Sequence, residues 1–122
     1  MITFKYNLFI DIYNSFVTIK EYKWLKKHKL IFFLPNPFLL LKLIFNRPKP
    51  LLIDTGDMDI VCYWVSSGTW GSYQPPNKIF ICPWNIPDME EIIKHEIKHL
   101  KYENKVNNMS HEDKERYINS TK

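Results

Sequence analysis

The stretch DMEEIIKHEIKHLKYEN, residues 88–104, decides how the rest of the chain is read. It opens with Asp88 and, three residues on, Glu91, close to the capping-box form, and Pro83 and Pro87 keep the preceding chain extended. No Gly or Pro interrupts Met89 to Asn104. At 100° per residue, Met89, Ile93, Ile97 and Leu100 fall within an arc of about 80°, a core-facing stripe. Lys94, Lys98 and Lys101 gather on a solvated face. His95 and His99 belong to neither group: they occupy an edge between, with Glu96 between them and the core. Residues four apart on a helix lie one turn above each other, so both imidazoles can reach one metal ion, and Glu96 is placed to act on a water beside it.

The competing reading is two surface histidines on an amphipathic helix. Catalytic zinc takes three protein ligands and keeps a position open, so a site needs a third ligand from elsewhere. Asn107-Asn108-Met109-Ser110 reads as a turn ending in an N-cap serine, and His111 to Asn119 as a second short helix. If the two helices pack antiparallel about residue 107, His99 faces Glu115. A steeper crossing brings His111 or Glu112 to the ion instead, and both stay open as third ligands. Glu103 is set aside, being a turn beyond His99 along the same axis. Lys78, Ile79, Phe80 and Ile81, with Cys82, read as a strand before the metal helix, and an edge strand there can pair with an extended peptide.

Residues 77–119 resemble the catalytic half of the minigluzincins, minimal metallopeptidases with an H-E-x-x-H helix; the size and layout of the whole chain are also similar. The resemblance implies one zinc ion, His95, His99 and Glu115 as its ligands, and Glu96 as general base and acid. It also implies a latent form in which a terminal segment covers the cleft. Glu115 to Asn119 has the E-x-x-x-D shape of a glutamate helix, with Asn119 in place of the supporting Asp. In the mechanism so implied, zinc polarises the scissile carbonyl and Glu96 carries the proton to the leaving amine. Tyr117 and Tyr102 are the candidates to steady the oxyanion, against the alternative that they only pack.

The remaining sequence is consistent with a single α+β domain: a small mixed sheet, the H-E-x-x-H helix and a short glutamate helix. With 122 residues, 45% hydrophobic and 16% aromatic, it is large enough for one modest core. All but two of its 17 basic residues, Arg47 and Arg116, are lysines, and the net charge of +4 is dispersed, which calls for no specific nucleic acid. Phe4, Tyr6, Leu8 and Ile10 alternate as in a strand; Asn14 or Ser15 then caps a helix to about Lys29, with Lys23 to Lys29 as its basic end. Leu30 to Phe45 is too short and too interrupted, by Pro35, Pro37 and Lys42, for a transmembrane span. It reads as a buried strand, Leu30 to Leu34, and a core helix, Phe38 to Phe45. No signal peptide is evident, so a cytoplasmic location is expected.

Arg47-Pro48-Lys49-Pro50 is a stiff connector, dividing an N-terminal supporting or blocking segment, residues 1–47, from a zinc-binding catalytic part, residues 48–122. Strands are expected at Leu51 to Ile53, Asp59 to Val65 and Lys78 to Cys82, with a loop from Ser66 to Asn77. An antiparallel pairing about that loop would bring Cys62 near Cys82. Free buried thiols are the expectation, a disulfide the alternative. Too few residues follow Glu115 to cross a cleft, so the blocking segment is expected at the N-terminus, with Met1 to Ile12 along the edge strand. The sequence therefore points to a latent zinc metalloendopeptidase acting on a peptide or protein. Its alternatives are a SprT-like protease with His111 as third ligand, a closed structural zinc site, and a basic nucleic-acid-binding domain using Lys23 to Lys29.

Overall fold

Burial alternates along Ile60–Trp64, where Ile60, Cys62 and Trp64 face the core and the residues between them do not, so this segment is a strand covered on one side. It is central to a computed structural model that describes residues 1–30, 32–103 and 109–120. In chain order the elements are β1 (Ile2–Lys5), α1 (Leu8–Lys20), α2 (Tyr22–Lys27), β2 (Phe32–Phe33), α3 (Pro37–Phe45), β3 (Ile60–Trp64), β4 (Gly68–Thr69), β5 (Gly71–Gln74), β6 (Lys78–Ile81), α4 (Met89–Lys101) and α5 (His111–Ser120). The main sheet has the order β1-β3-β6-β5, and β2 and β4 form a separate two-stranded ladder.

The sheet is mixed. β1 and β6 both run parallel to β3, with Ile2 opposite Ile60 and Cys62 opposite Ile79, and β5 closes the sheet antiparallel to β6. The expected antiparallel pairing of β3 with β6 is thus corrected. The loop between them contains β4 and β5, which take the antiparallel step that the sequence reading assigned to β6. Cys62 and Cys82 are free and buried, and burial pushes both thiols up to about 12. Leu51 to Ile53 forms no strand, although Ile53 still packs into the core. That core joins Ile60, Cys62 and Trp64 to Ile79 and Ile81 of β6, Ile93 and Leu100 of α4, and Leu43 of α3.

The N-terminal segment contributes directly to this architecture. β1 pairs with β3 on the side away from β5, so Met1 to Ile12 does not lie along the edge beside α4, as the sequence reading had placed it. The first helix begins at Leu8, not near Asn14, because the Asn7 carboxamide accepts from the amides of Phe9 and Ile10. α1 is held to the sheet by polar groups. The buried Asp11 carboxylate accepts from the Ser66 amide and hydroxyl and from the Tyr6 hydroxyl, and Asn14 donates to the Ser67 carbonyl. α3 is capped by Asn36 with Pro37 in its first turn, but of its side chains only Leu43 is fully buried, less than expected of a core helix.

Candidate metal centre

α4 begins at Asp88, whose carboxylate accepts from the Glu91 amide at 3.1 Å. Acidic residues fill its first turn and basic ones its last, in keeping with the helix dipole. Ile93 and Leu100 are buried, with Met89 and Ile97 packed beside them, and this fixes the helix's rotation over β5 and β6. His95, Glu96 and His99 consequently face β5 and α5. α5 is capped by the Ser110 hydroxyl, which accepts from the Asp113 amide, and anchored by the fully buried Ile118. Glu115, three residues before Ile118, lies on the same side of α5 and is directed at α4.

The three side chains converge. His95 Nε2 lies 2.9 Å from Glu115 Oε2, His99 Nε2 lies 2.8 Å from Glu115 Oε1, and the two Nε2 atoms are 3.1 Å apart. Among the described residues this trio is the group of His, Cys, Asp and Glu side chains able to share a metal ion. Glu115 therefore occupies the position sought for a third ligand. Glu112 is exposed, and His111 packs edge-on against Trp24 at 5.2 Å and His28 at 5.9 Å instead of joining the trio. Tyr102 and Tyr117 pack on each other at 5.9 Å, and Asn119 is exposed on the wall of the adjoining cleft. The turn assigned to residues 107 and 108 lies outside the described residues.

Charge reinforces the arrangement. The His95 hydrogen bond holds the Glu115 carboxyl well below the usual carboxylate range, with His99 adding to it, and the same contact raises His95 against the opposing effect of burial. Glu96 is 7% exposed, and burial pushes its carboxyl up to about 7, although His99 and His95 pull it back. A carboxyl that titrates near neutrality in a cleft is suited to taking up and returning a proton.

β5 supplies the wall opposite. A Cβ on Gly71 would lie 2.7 Å from Ile92 Cγ2 and 3.2 Å from Glu96 Cγ, so this position needs a glycine for close approach, not for an unusual backbone angle. Tyr73 stacks on the His99 ring at 4.6 Å and 11°; burial, and then the Glu103 carboxylate, raise its phenol. Neither residue was singled out from sequence, because Gly68, Gly71, Pro75 and Pro76 gave this region the composition of a loop. The strand proposed to receive a peptide also needs correction. Lys78, Ile79, Phe80 and Ile81 form an inner strand with neighbours on both sides, and the edge next to α4 is β5.

The donor set fits zinc. Bonds of about 2.0–2.2 Å in tetrahedral array separate ligand atoms by roughly 3.3 Å, so the trio would open by only a few tenths of an ångström around an ion. Without a cation, both imidazoles can donate to Glu115 only if each Nε2 carries a proton, which sets two N–H groups against each other at 3.1 Å. A cation held by the trio would take the place of both protons. Metal binding through Nε2 would leave the proton on His99 Nδ1, for which no acceptor lies among the described residues; the stacked Tyr73 ring is what orients this imidazole. The Glu103 carboxylate, one turn further along, faces the Tyr73 phenol and not the trio.

Two cavities, of about 630 and 500 Å³, meet at this group and share Leu30, Thr69, Gly71, His95 and Glu96. One runs past Trp70, Ile92 and Asn119; the other past Trp24, Tyr73, His99 and Glu115. Glu96 thus lies where the two arms of one cleft join. No protein family, curated protein or solved structure matches the chain.

Proposed function

We propose that this chain is a zinc-dependent metallopeptidase of the minimal gluzincin type, related in its design to the minigluzincins, which hydrolyses peptide bonds with water activated by Glu96. The observation that carries this reading is the convergence of the Glu115 carboxylate, from a second helix, on the Nε2 atoms of both histidines of the H-E-x-x-H turn, with Glu96 buried beside them. His95, His99 and Glu115 are the residues that would hold the ion. When bound, zinc supplies polarisation of the scissile carbonyl and acidification of water.

The chain's own groups supply the rest. Glu96 takes the proton from the attacking water and returns it to the leaving amine, and its closeness to Gly71 fixes its carboxylate against the strand along which a substrate would run. Among the described residues the outer edge of β5 has no strand beside it in the sheet, so an extended peptide can add there through backbone bonds and cross the junction of the two arms. Upstream of β5 that position is taken: β2 pairs with β4, Phe32 opposite Thr69, and Leu30 lines both arms. Latency therefore belongs to this reading, with Leu30 and Phe32–Phe33 as the covering piece in place of the extreme N-terminus.

Peptide hydrolysis by wild-type and Glu96→Gln protein, each loaded with zinc, tests the assignment. Loss of a general base of this kind lowers the rate about 10²–10⁴-fold while the metal is retained. A closed structural zinc site would show no hydrolysis in either protein and would be indifferent to the substitution.

A further inference from the structure

α1 is built inside out. The side turned to the protein is polar: Asp11 is fully buried, Asn14 bonds to the Ser67 carbonyl, Ser15 meets the Ser67 hydroxyl at 3.0 Å, and Thr18 is 3% exposed. The side turned to solvent carries Leu8, Phe9, Ile12, Tyr13, Phe16 and Ile19, with exposures from 39% to 82%. On a helical wheel these six fall in an arc of about 140°, as wide as the apolar stripe by which a surface helix ordinarily faces its own core. Here the polar arc has taken the core side, and the apolar arc is left exposed, with Phe9 and Tyr13 at one edge bordering a cavity beside Tyr73 and Phe80.

The charge along this part of the chain is one-sided. Nine of the 17 basic residues fall within the first fifty positions, against two of the 13 acidic ones, Asp11 and Glu21, and Asp11 is buried. Lys20 lies in the apolar arc itself, and Lys23, Lys26, Lys27 and Lys29 follow it, all exposed. We propose that the outer face of α1 inserts into the surface of an anionic lipid bilayer, with the lysines of residues 20–29 at the level of the headgroups. Aromatic and aliphatic side chains beside a lysine cluster are the pattern of a helix lying in the interface plane. Lysine stems can run along the apolar region while their ammonium groups meet lipid phosphates. A second copy is the poorer occupant, because it would present the same excess of positive charge to this segment, which an anionic surface instead complements. Crossing the bilayer is not implied, since no described helix is long and apolar enough for it.

Flotation of the full chain with vesicles of phosphatidylcholine, alone or mixed with phosphatidylglycerol, tests this independently of peptide hydrolysis. The chain is expected to float with the anionic vesicles, to stay behind with neutral ones, and to be partly released by salt. Phe9→Ser with Phe16→Ser, and separately Lys23→Ala with Lys27→Ala, should each weaken binding on the order of tenfold. Circular dichroism should show unchanged helix in both pairs, as the substituted side chains are exposed. Three results would overturn the proposal: folded wild-type protein that ignores anionic vesicles at low salt; binding that responds to the lysine pair and not to the phenylalanine pair; or a dimer abolished by the phenylalanine pair in a chain with no affinity for vesicles.

Discussion

At the scale of single residues, Gly71 and the ionisable groups around it make the sharpest demands. Gly71→Ala forces a methyl group against Ile92 Cγ2 and the Glu96 side chain. It should destabilise the fold by about 1–3 kcal/mol and displace the Glu96 carboxylate. Thermal melts and peptide hydrolysis check both effects, and a fully stable, fully active variant would show that the approach is not tight. The pH dependence of the metal-free protein follows from Glu96 and His95. Both are raised on folding, Glu96 from 4.5 to about 7 and His95 above 6.5, so each favours the folded state at low pH and loses that contribution as pH rises through its folded value. Glu115 is shifted the other way, and its contribution is lost only as pH falls below the ordinary carboxylate range. Stability of the metal-free protein should therefore decline from about pH 4.5 through pH 7, less steeply in Glu96→Gln. With zinc in excess the trend should reverse, since the ligands bind the ion deprotonated. Denaturant titrations across this range, with chelator and with zinc, give both slopes; parallel slopes would contradict the trio as a metal centre.

Among the elements, the two site helices were the most legible. Asp88 and Ser110 cap α4 and α5 as their sequences indicate, and the apolar spacing of Met89, Ile93, Ile97 and Leu100 sets the face that α4 buries. Competition among Glu115, His111 and Glu112 was not resolvable in advance, because the crossing of the helices depends on Ile118 and on the aromatic cluster that engages His111. α1 was misplaced for a physical reason. Phe4 does lie in a strand, β1, but the alternation continues through Tyr6 to Leu8 and Ile10, which belong to a helix whose apolar residues point largely outward. β4 and β5 were hidden by turn-forming residues, one of which, Gly71, is there for close packing. The pairing of β2 with β4 carries a further expectation. If Leu30 restricts the cleft, Leu30→Ala should raise the rate of peptide hydrolysis several-fold without altering zinc content, as assayed on the zinc-loaded chain. An unchanged rate would leave this segment as wall alone.

For the whole molecule, the distribution of work is uneven. One half of the sheet, β6 and β5, orients α4 and lines the cleft, whereas β1 extends the sheet beyond β3, and α1, reached through Ser66 and Ser67, turns its apolar residues outward. The α+β class and α4 could be read from the sequence because they rest on local spacing and capping. The strand order could not, because parallel pairing of β1 and β6 with β3 arises from contacts between segments distant in the chain. The central claim is that His95, His99 and Glu115 form one zinc site served by Glu96. Its most direct test is the zinc content of purified protein, measured for the wild type and for Glu115→Ala, His111→Ala and Glu96→Gln. One ion per chain is expected in the wild type, in His111→Ala and in Glu96→Gln, with loss in Glu115→Ala. A folded wild-type chain that binds no zinc, or one whose zinc survives Glu115→Ala and is lost in His111→Ala, would contradict it.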